Sequence, residues 1–340
     1  MPAPASRASA WRAAALLVLL PAAHAIAATP TFGPRLEGFE YPHPVRTFAF
    51  DSQRQRLEMA YLDVAPTGAA NGRSVVLLHG KNFCAATWES TIAALAGAGY
   101  RVIAPDQIGF CKSDKPERYQ FSFAQLAANT RALLDSLGIE RPVVVGHSMG
   151  GMLAARYALQ YPDAVERLAL VNPIGLEDWK ALGVPWQDVD AWFAAERRTT
   201  FDSIRRYQLD VYYGGQWKPE YTRWVEMLAG LYAGPGGERV AWNQALTSDM
   251  VFNQPVVHEF GNIAVPTTLF IGQKDRTAIG RDRAPEALKA RLGDYPALGR
   301  RAAEAIPRAT LVTFDDLGHS PQVEAPARFE RALLDALAGD

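Results

Sequence analysis

The sequence predicts an α/β fold: a mostly parallel, doubly wound sheet of eight strands, with helices on both faces and a helical insertion after the sixth strand. Short, continuously apolar runs follow one another along the first half of the chain, helix-patterned segments separate them, and this alternation stops after Val171 and resumes near Val265. Runs that are apolar throughout suit strands buried on both faces, as in a parallel sheet. With 340 residues, 49% of them hydrophobic and 21% charged, the chain is long enough to bury such a core.

The first residues read as a targeting signal and not as part of the fold. Arg7 and Arg12 stand in a polar start, Ala13 to Leu20 form a short apolar run, and Ala25-Ile26-Ala27 supplies a small-x-small cleavage pattern. The run falls short of the roughly 20 apolar residues that span a bilayer. Removal of residues 1–27 is therefore expected, with export to the periplasm or the medium and no stable membrane insertion afterwards. The two arginines are not adjacent, which gives no support to a twin-arginine route. Lys and Arg total 35 against 36 Asp and Glu, leaving no positive excess to hold a phosphate backbone, so nucleic acid is not an expected partner.

The core is expected in two pieces, 28–172 and 263–340, around a cap at 173–262. After a Pro-rich lead-in, the alternating segments Val45 to Phe50 and Leu57 to Val64 read as a hairpin. Val75 to Leu78, Arg101 to Pro105, Pro142 to Val145 and Leu168 to Val171 read as buried parallel strands. The clearest helix is Ser122 to Leu137, where Leu126, Thr130, Leu133, Leu134 and Leu137 repeat at helical spacing. Ser122 and Gln125 suggest a capping box at its start, and Gly138 can close its end in the left-handed conformation. Residues 173–262 hold six of the eight tryptophans and five tyrosines, which suits a mostly helical lid whose aromatics chiefly build its own core. Pro266 to Gly272 and Thr310 to Phe314 are the last two strands, and a helix from about Glu324 ends the chain.

The chemistry-bearing motif is Gly146-His147-Ser148-Met149-Gly150, placed between an apolar strand and a helix-like stretch to Gln160. In that context the glycines allow a tight turn that holds Ser148 in a strained, exposed-hydroxyl conformation. A serine hydroxyl needs a base to take its proton, and the base needs a carboxylate to fix its tautomer. Asp275 follows the strand ending at Gly272, and His319 follows the strand ending at Phe314. Ser148 is thus the candidate nucleophile, His319 the base and Asp275 the acid. Asp282 and Asp316 are the fallback acids, while Asn172, at another strand end, carries an amide that cannot serve as that carboxylate. His79 and His147 adjoin the site as packing and hydrogen-bonding residues. No His and carboxylate spacing suggests a metal, and no cofactor is expected.

Taken together, His79-Gly80 after a strand, the G-x-S-x-G turn, G-x-x-D at Gly272 to Asp275, and Gly318-His319 ahead of Glu324 and Pro326 resemble the α/β-hydrolase superfamily, in its capped esterase and C–C hydrolase branch. The resemblance covers nearly everything after residue 45 and implies serine hydrolysis with Ser148, Asp275 and His319 in the roles given above. It also implies an oxyanion hole from the backbone amides of Met149 and Lys81, with Asn82 as the alternative to Lys81. Relatives with an aspartate nucleophile lose support because Ser148 stands at that position. The family's D-x-x-G-x-G-x-S pattern has Cys111 at its second glycine. Cys84 lies just past His79-Gly80, and a disulfide between Cys84 and Cys111 is expected at the rim of the site. The partner is a small-molecule substrate, with ester cleavage expected ahead of amide, lactone or C–C cleavage and well ahead of a non-catalytic binding role.

Overall fold

The computed structural model describes residues 1–5 and 30–338, so the expected signal segment falls for the most part outside the described residues. The predicted eight-stranded sheet is present. Its strands are β1 (Val45–Ser52), β2 (Gln55–Val64), β3 (Ser74–Leu78), β4 (Arg101–Pro105), β5 (Val143–His147), β6 (Arg167–Val171), β7 (Thr267–Gly272) and β8 (Ala309–Phe314). They lie in the order β1-β2-β4-β3-β5-β6-β7-β8. The β1–β2 hairpin and the β2–β4 pair are antiparallel, and every later pair is parallel.

The period of two along each strand divides the core. Val75, Leu77, Val102, Val143 and Val145 face one side with α1 (Glu89–Gly97) and the last helix; Val76, Leu78, Ile103 and Val144 face the other with α2 (Phe123–Ser136) and α3 (Met149–Gln160). Ser122 caps α2 by accepting from the Gln125 amide at 3.0 Å, and Gly138 closes it at φ 68°. The capping box is only half formed, because the Gln125 side chain donates to Asn129 one turn on instead of reaching back.

Between β6 and β7 lie α4 (Val189–Glu196), α5 (Phe201–Tyr207) with a π-turn at Gln208–Tyr212, α6 (Thr222–Ala233) and α7 (Gly237–Asn253). After β7 come the short α8 (Glu286–Lys289) and α9 (Tyr295–Ala305). The chain end is two helices and not one, α10 (Pro321–Glu324) and α11 (Pro326–Ala338). Pro326 disfavours the helical conformation at Ala325, which sits at φ −147° and breaks the run.

Strand register brings the functional loops together. β3 and β5 are adjacent, with Leu78 beside Gly146, while the chain leaves β3 for β4 on the other side. This reversal of strand order opens a crevice at the carboxyl ends, where doubly wound sheets place their ligands. Ser148 stands there, one residue past His147.

Candidate active site

Ser148 joins β5 to α3 at φ 56° and ψ −120°, a left-handed conformation that a non-glycine residue adopts at a cost. The flanking glycines make the turn possible. A Cβ at Gly146 would come within 2.1 Å of the Gly150 carbonyl oxygen, and one at Gly150 within 2.2 Å of the Leu78 carbonyl oxygen. The Ser148 amide donates to the Val171 carbonyl at 3.1 Å, fixing the turn against β6.

His319 and Asp275 are fully buried and face each other, with Nδ1 of the histidine 2.6 Å from Oδ2 of the aspartate. Asp275 is itself held from two sides. Asn172 Nδ2 donates to Oδ2 at 2.9 Å, while the Thr277 amide and hydroxyl donate to Oδ1 at 2.8 and 2.7 Å. The backbone of His319 is fixed as well: its amide donates to the Tyr212 carbonyl at 2.8 Å, and its carbonyl accepts from His147 Nε2 at 2.8 Å. Of the polar atoms of His319, Nε2 is the one buried without a partner among the described residues.

The neighbouring histidines are neutral scaffolding. Burial, and then the closeness of His319, push His147 well below the ordinary histidine range, so its Nε2–H donates to His319 as a neutral imidazole. Burial also lowers His79, whose Nε2 accepts from the Gln107 amide at 3.0 Å, leaving Nδ1–H for the Gly80 carbonyl at 2.9 Å. A Cβ on Gly80 would lie 3.0 Å from both His147 Nδ1 and the Ser148 Cβ, which places the loop after β3 directly against the nucleophile.

That loop carries Lys81, and Met149 is the first residue of α3. Neither amide makes a hydrogen bond among the described residues, as helix geometry requires of Met149. The Lys81 side chain is salt-bridged: its ammonium lies 2.7 Å from Glu196 of α4, and both side chains are largely buried. Glu196 also accepts from the Tyr232 hydroxyl at 2.5 Å and from Ser248 at 3.3 Å.

Ser148 opens into a cavity of about 670 Å³ between the strand ends and the helical insertion. Ile174, Ile204, Val211, Leu228 and Ile279 give it apolar walls, and four of the insertion's aromatics, Trp192, Tyr207, Tyr212 and Tyr232, line it. Trp179 and Trp224 are buried in packing instead, and Trp186 is exposed.

A family model described as the alpha/beta hydrolase fold matches residues 73–326. The chain belongs to that family. Among solved structures, a probable hydrolytic enzyme of Pseudomonas aeruginosa PAO1 is 63% identical, with a TM-score of 0.90 over 92% of this chain and 99% of that one. A 2-hydroxy-6-oxononadienedioate/2-hydroxy-6-oxononatrienedioate hydrolase of Comamonas testosteroni is 29% identical over 79% of this chain and 89% of its own. An uncharacterized protein of Mycobacterium tuberculosis is 44% identical over 108 residues, and the match spans only 31% of that protein's length. The chain is a hydrolase of the α/β type.

Within this α/β-hydrolase Lys81 and Ser148 line the cavity, Met149 opens α3 beside the serine, and the buried His319–Asp275 pair is tied to His147, the residue before Ser148, with no hydrogen bond from Ser148 to His319 Nε2 among the described residues. The structure sends the fallback acids elsewhere: Asp282 is exposed along the cavity lining, and Asp316 pairs with Arg328 at 2.5 Å. Asn172 supplies no carboxylate but acts on one, since it donates to Asp275 while its Oδ1 accepts from the Gly272 amide at 2.8 Å. The signal for Asn172 was its place at a strand end. Thr277 sits two residues after an aspartate, the spacing of an Asx-turn, and was legible on that ground.

Cys84 and Cys111 face each other with sulfurs within bonding distance and Cα atoms 6.0 Å apart. Cys111 lies at φ 43°, the left-handed region that suits the glycine of the family pattern. With Asp106 these two form a cluster of potential metal ligands. Asp106, however, is already taken up by the amides of Ala85 and Lys112 and by the Tyr41 hydroxyl.

Proposed function

We propose that this hydrolase cleaves carboxylic esters of small to medium apolar or aromatic substrates through an acyl-enzyme on Ser148. The observation that carries the reading is His319, whose amide, carbonyl and Nδ1 are all committed to the scaffold while Nε2 is left free. Ser148 Oγ attacks the ester carbonyl as its proton passes to His319 Nε2, and Asp275 steadies the imidazolium. The oxyanion accepts from the amides of Lys81 and Met149. His319 then gives the proton to the departing alkoxide. Water attacks the acyl-enzyme with His319 again taking its proton, the acid leaves, and Ser148 regains its hydrogen.

The similarity to an oxodienedioate hydrolase favours a second reading, hydrolysis of a C–C bond in a vinylogous diketone by the same groups. A panel of p-nitrophenyl esters of increasing acyl length beside oxodienoate substrates separates the two. Ester turnover with kcat/KM at least tenfold above that on the oxodienoates supports the first reading, and the reverse ratio overturns it. Export with cleavage after Ala27 is part of the proposal, and the Cys84–Cys111 pair, which needs an oxidising compartment, agrees with it. A mature N-terminus at Ala28 in the periplasm or medium is the expected mass-spectrometric result; an intact leader on cytoplasmic protein contradicts it.

A further inference from the structure

We propose that Glu324 is a positioning residue of this site, holding the His319 loop from behind and adding a second negative charge to the one Asp275 supplies. The inference rests on the reading of His319 as general base. Glu324 ends the single turn of α10 and folds back over the loop that carries the histidine. Its Oε1 accepts from the amides of Gly318 and Ser320, both at 3.0 Å, and Oε2 lies 2.9 Å from the Gly318 amide. These are the residues on either side of His319, so one carboxylate grips the loop on both flanks of the base.

The loop has other ties, the Lys274 amide on the Leu317 carbonyl at 2.9 Å and the amides of Val323 and Glu324 on the Ser320 carbonyl, but the Glu324 carboxylate holds the amides on both sides of His319. Gly318 lies hard against the insertion, where a Cβ would come within 1.8 Å of the Tyr212 carbonyl oxygen. The loop therefore touches the cap and the core at once, and a shift of an ångström there moves Nε2 relative to Ser148. Misplacement on that scale costs about a hundredfold in rate.

The charge is held at a cost. Glu324 is only 8% exposed, and burial is the main reason its carboxyl is pushed up to about 7. Asp275 also raises it, while the amides of Gly318 and Ser320 and the nearby His319 lower it. Tyr213 and Tyr221 feel its charge, and the Lys218 ammonium sits 2.8 Å from its main-chain carbonyl. A carboxyl raised in the folded state binds its proton more tightly there than in the unfolded chain. Stability from this group therefore falls as the pH rises from the ordinary carboxylate range to about 7. Ionised Glu324 thus costs the fold stability, and what it returns lies at His319: two flanking bonds and favourable charge when the imidazolium forms. Protonation turns one accepting oxygen into a donor facing the Gly318 amide and removes that charge.

Inactivation by a fluorophosphonate, followed from about pH 5 to 9, reads the base directly without assuming a substrate. In wild type the rate should carry a step at about pH 7, where the Glu324 carboxyl takes up its proton. Glu324→Gln should react about tenfold more slowly at alkaline pH and lose the Glu324 step. A wild-type profile with no step near pH 7 overturns the proposal even if the variant does not fold. So does a folded Glu324→Gln with the wild-type rate and profile. A folded wild type that does not react at all overturns the serine-hydrolase reading itself, and this inference with it.

Discussion

The core side of the cavity and the cap side facing it are built differently. On the core side, Asp275 accepts from Asn172, Thr277 and His319, and His319 is tied at its amide, carbonyl and Nδ1. Those partners come from β5, the loops after β6, β7 and β8, and the π-turn, so no single helix can move and carry the base with it. On the cap side, α4, α5 and α6 present Trp192, Ile204, Leu228 and neighbouring side chains that make contact by shape. The polar contacts of this side are the Tyr212 carbonyl on the His319 amide, the Asn82 side-chain amide on the Tyr212 hydroxyl, and the Lys81–Glu196 pair with Tyr232 and Ser248. Directional bonds fix atoms to fractions of an ångström, whereas apolar contacts tolerate repacking. Changes on the core side should therefore lower the rate on every substrate, and changes on the cap side should reorder substrates.

Asp275→Asn tests the core side most severely. It leaves the shape intact but removes the charge that fixes the His319 tautomer, and kcat should fall about 10⁴-fold on every ester with KM little changed. A loss confined to some acyl lengths would erase the contrast between the two sides. Next comes the rim. Replacing Cys84 with Ser and Cys111 with Gly opens a cross-link with a sequence separation of 27 and should cost about 3–4 kcal/mol in urea unfolding. Relief of the left-handed strain at Cys111 makes this an upper figure, and unchanged stability with two alkylatable thiols in untreated wild type would mean the pair is not bonded.

Asn172→Ala removes one hydrogen bond to a charged, buried group and leaves the Gly272 amide without its acceptor. A tenfold to hundredfold loss in kcat is expected, from the roughly 1.5–3 kcal/mol that such bonds carry. The same loss should appear for short and long esters. The smallest effect belongs to the cap: Trp192→Ala enlarges the cavity wall and should raise kcat/KM for longer acyl chains about tenfold relative to short ones. A uniform change across chain lengths would show that Trp192 acts on the base and not on the substrate.

Much of this division was legible in the sequence. Ser148, Asp275 and His319 each follow a strand, and glycine context and chain order select them from other serines, aspartates and histidines. The inner parallel strands were visible because both of their faces are apolar, and the β1–β2 hairpin by its alternation. Asn172 stood out by position, yet its role was hidden: its partner Asp275 lies 103 residues away and is brought near only by the β6–β7 register. Glu196 and Glu324 were less legible still. Glu196 looks like an ordinary surface glutamate, and Glu324 marks the family pattern after Gly318-His319 without showing a role; only the direction of each side chain decides that one meets Lys81 and the other folds back over His319. The aromatic content of residues 173–262 suggests a packed lid, but which aromatics turn toward the cavity depends on helix rotation, which composition does not encode.

The central claim, that Ser148 is the nucleophile, is tested by p-nitrophenyl ester hydrolysis with wild type beside Ser148→Ala. The expected result is wild-type turnover, a variant of equal thermal stability, and a loss in kcat of about 10⁴-fold or more. A folded Ser148→Ala protein that retains wild-type turnover would contradict it.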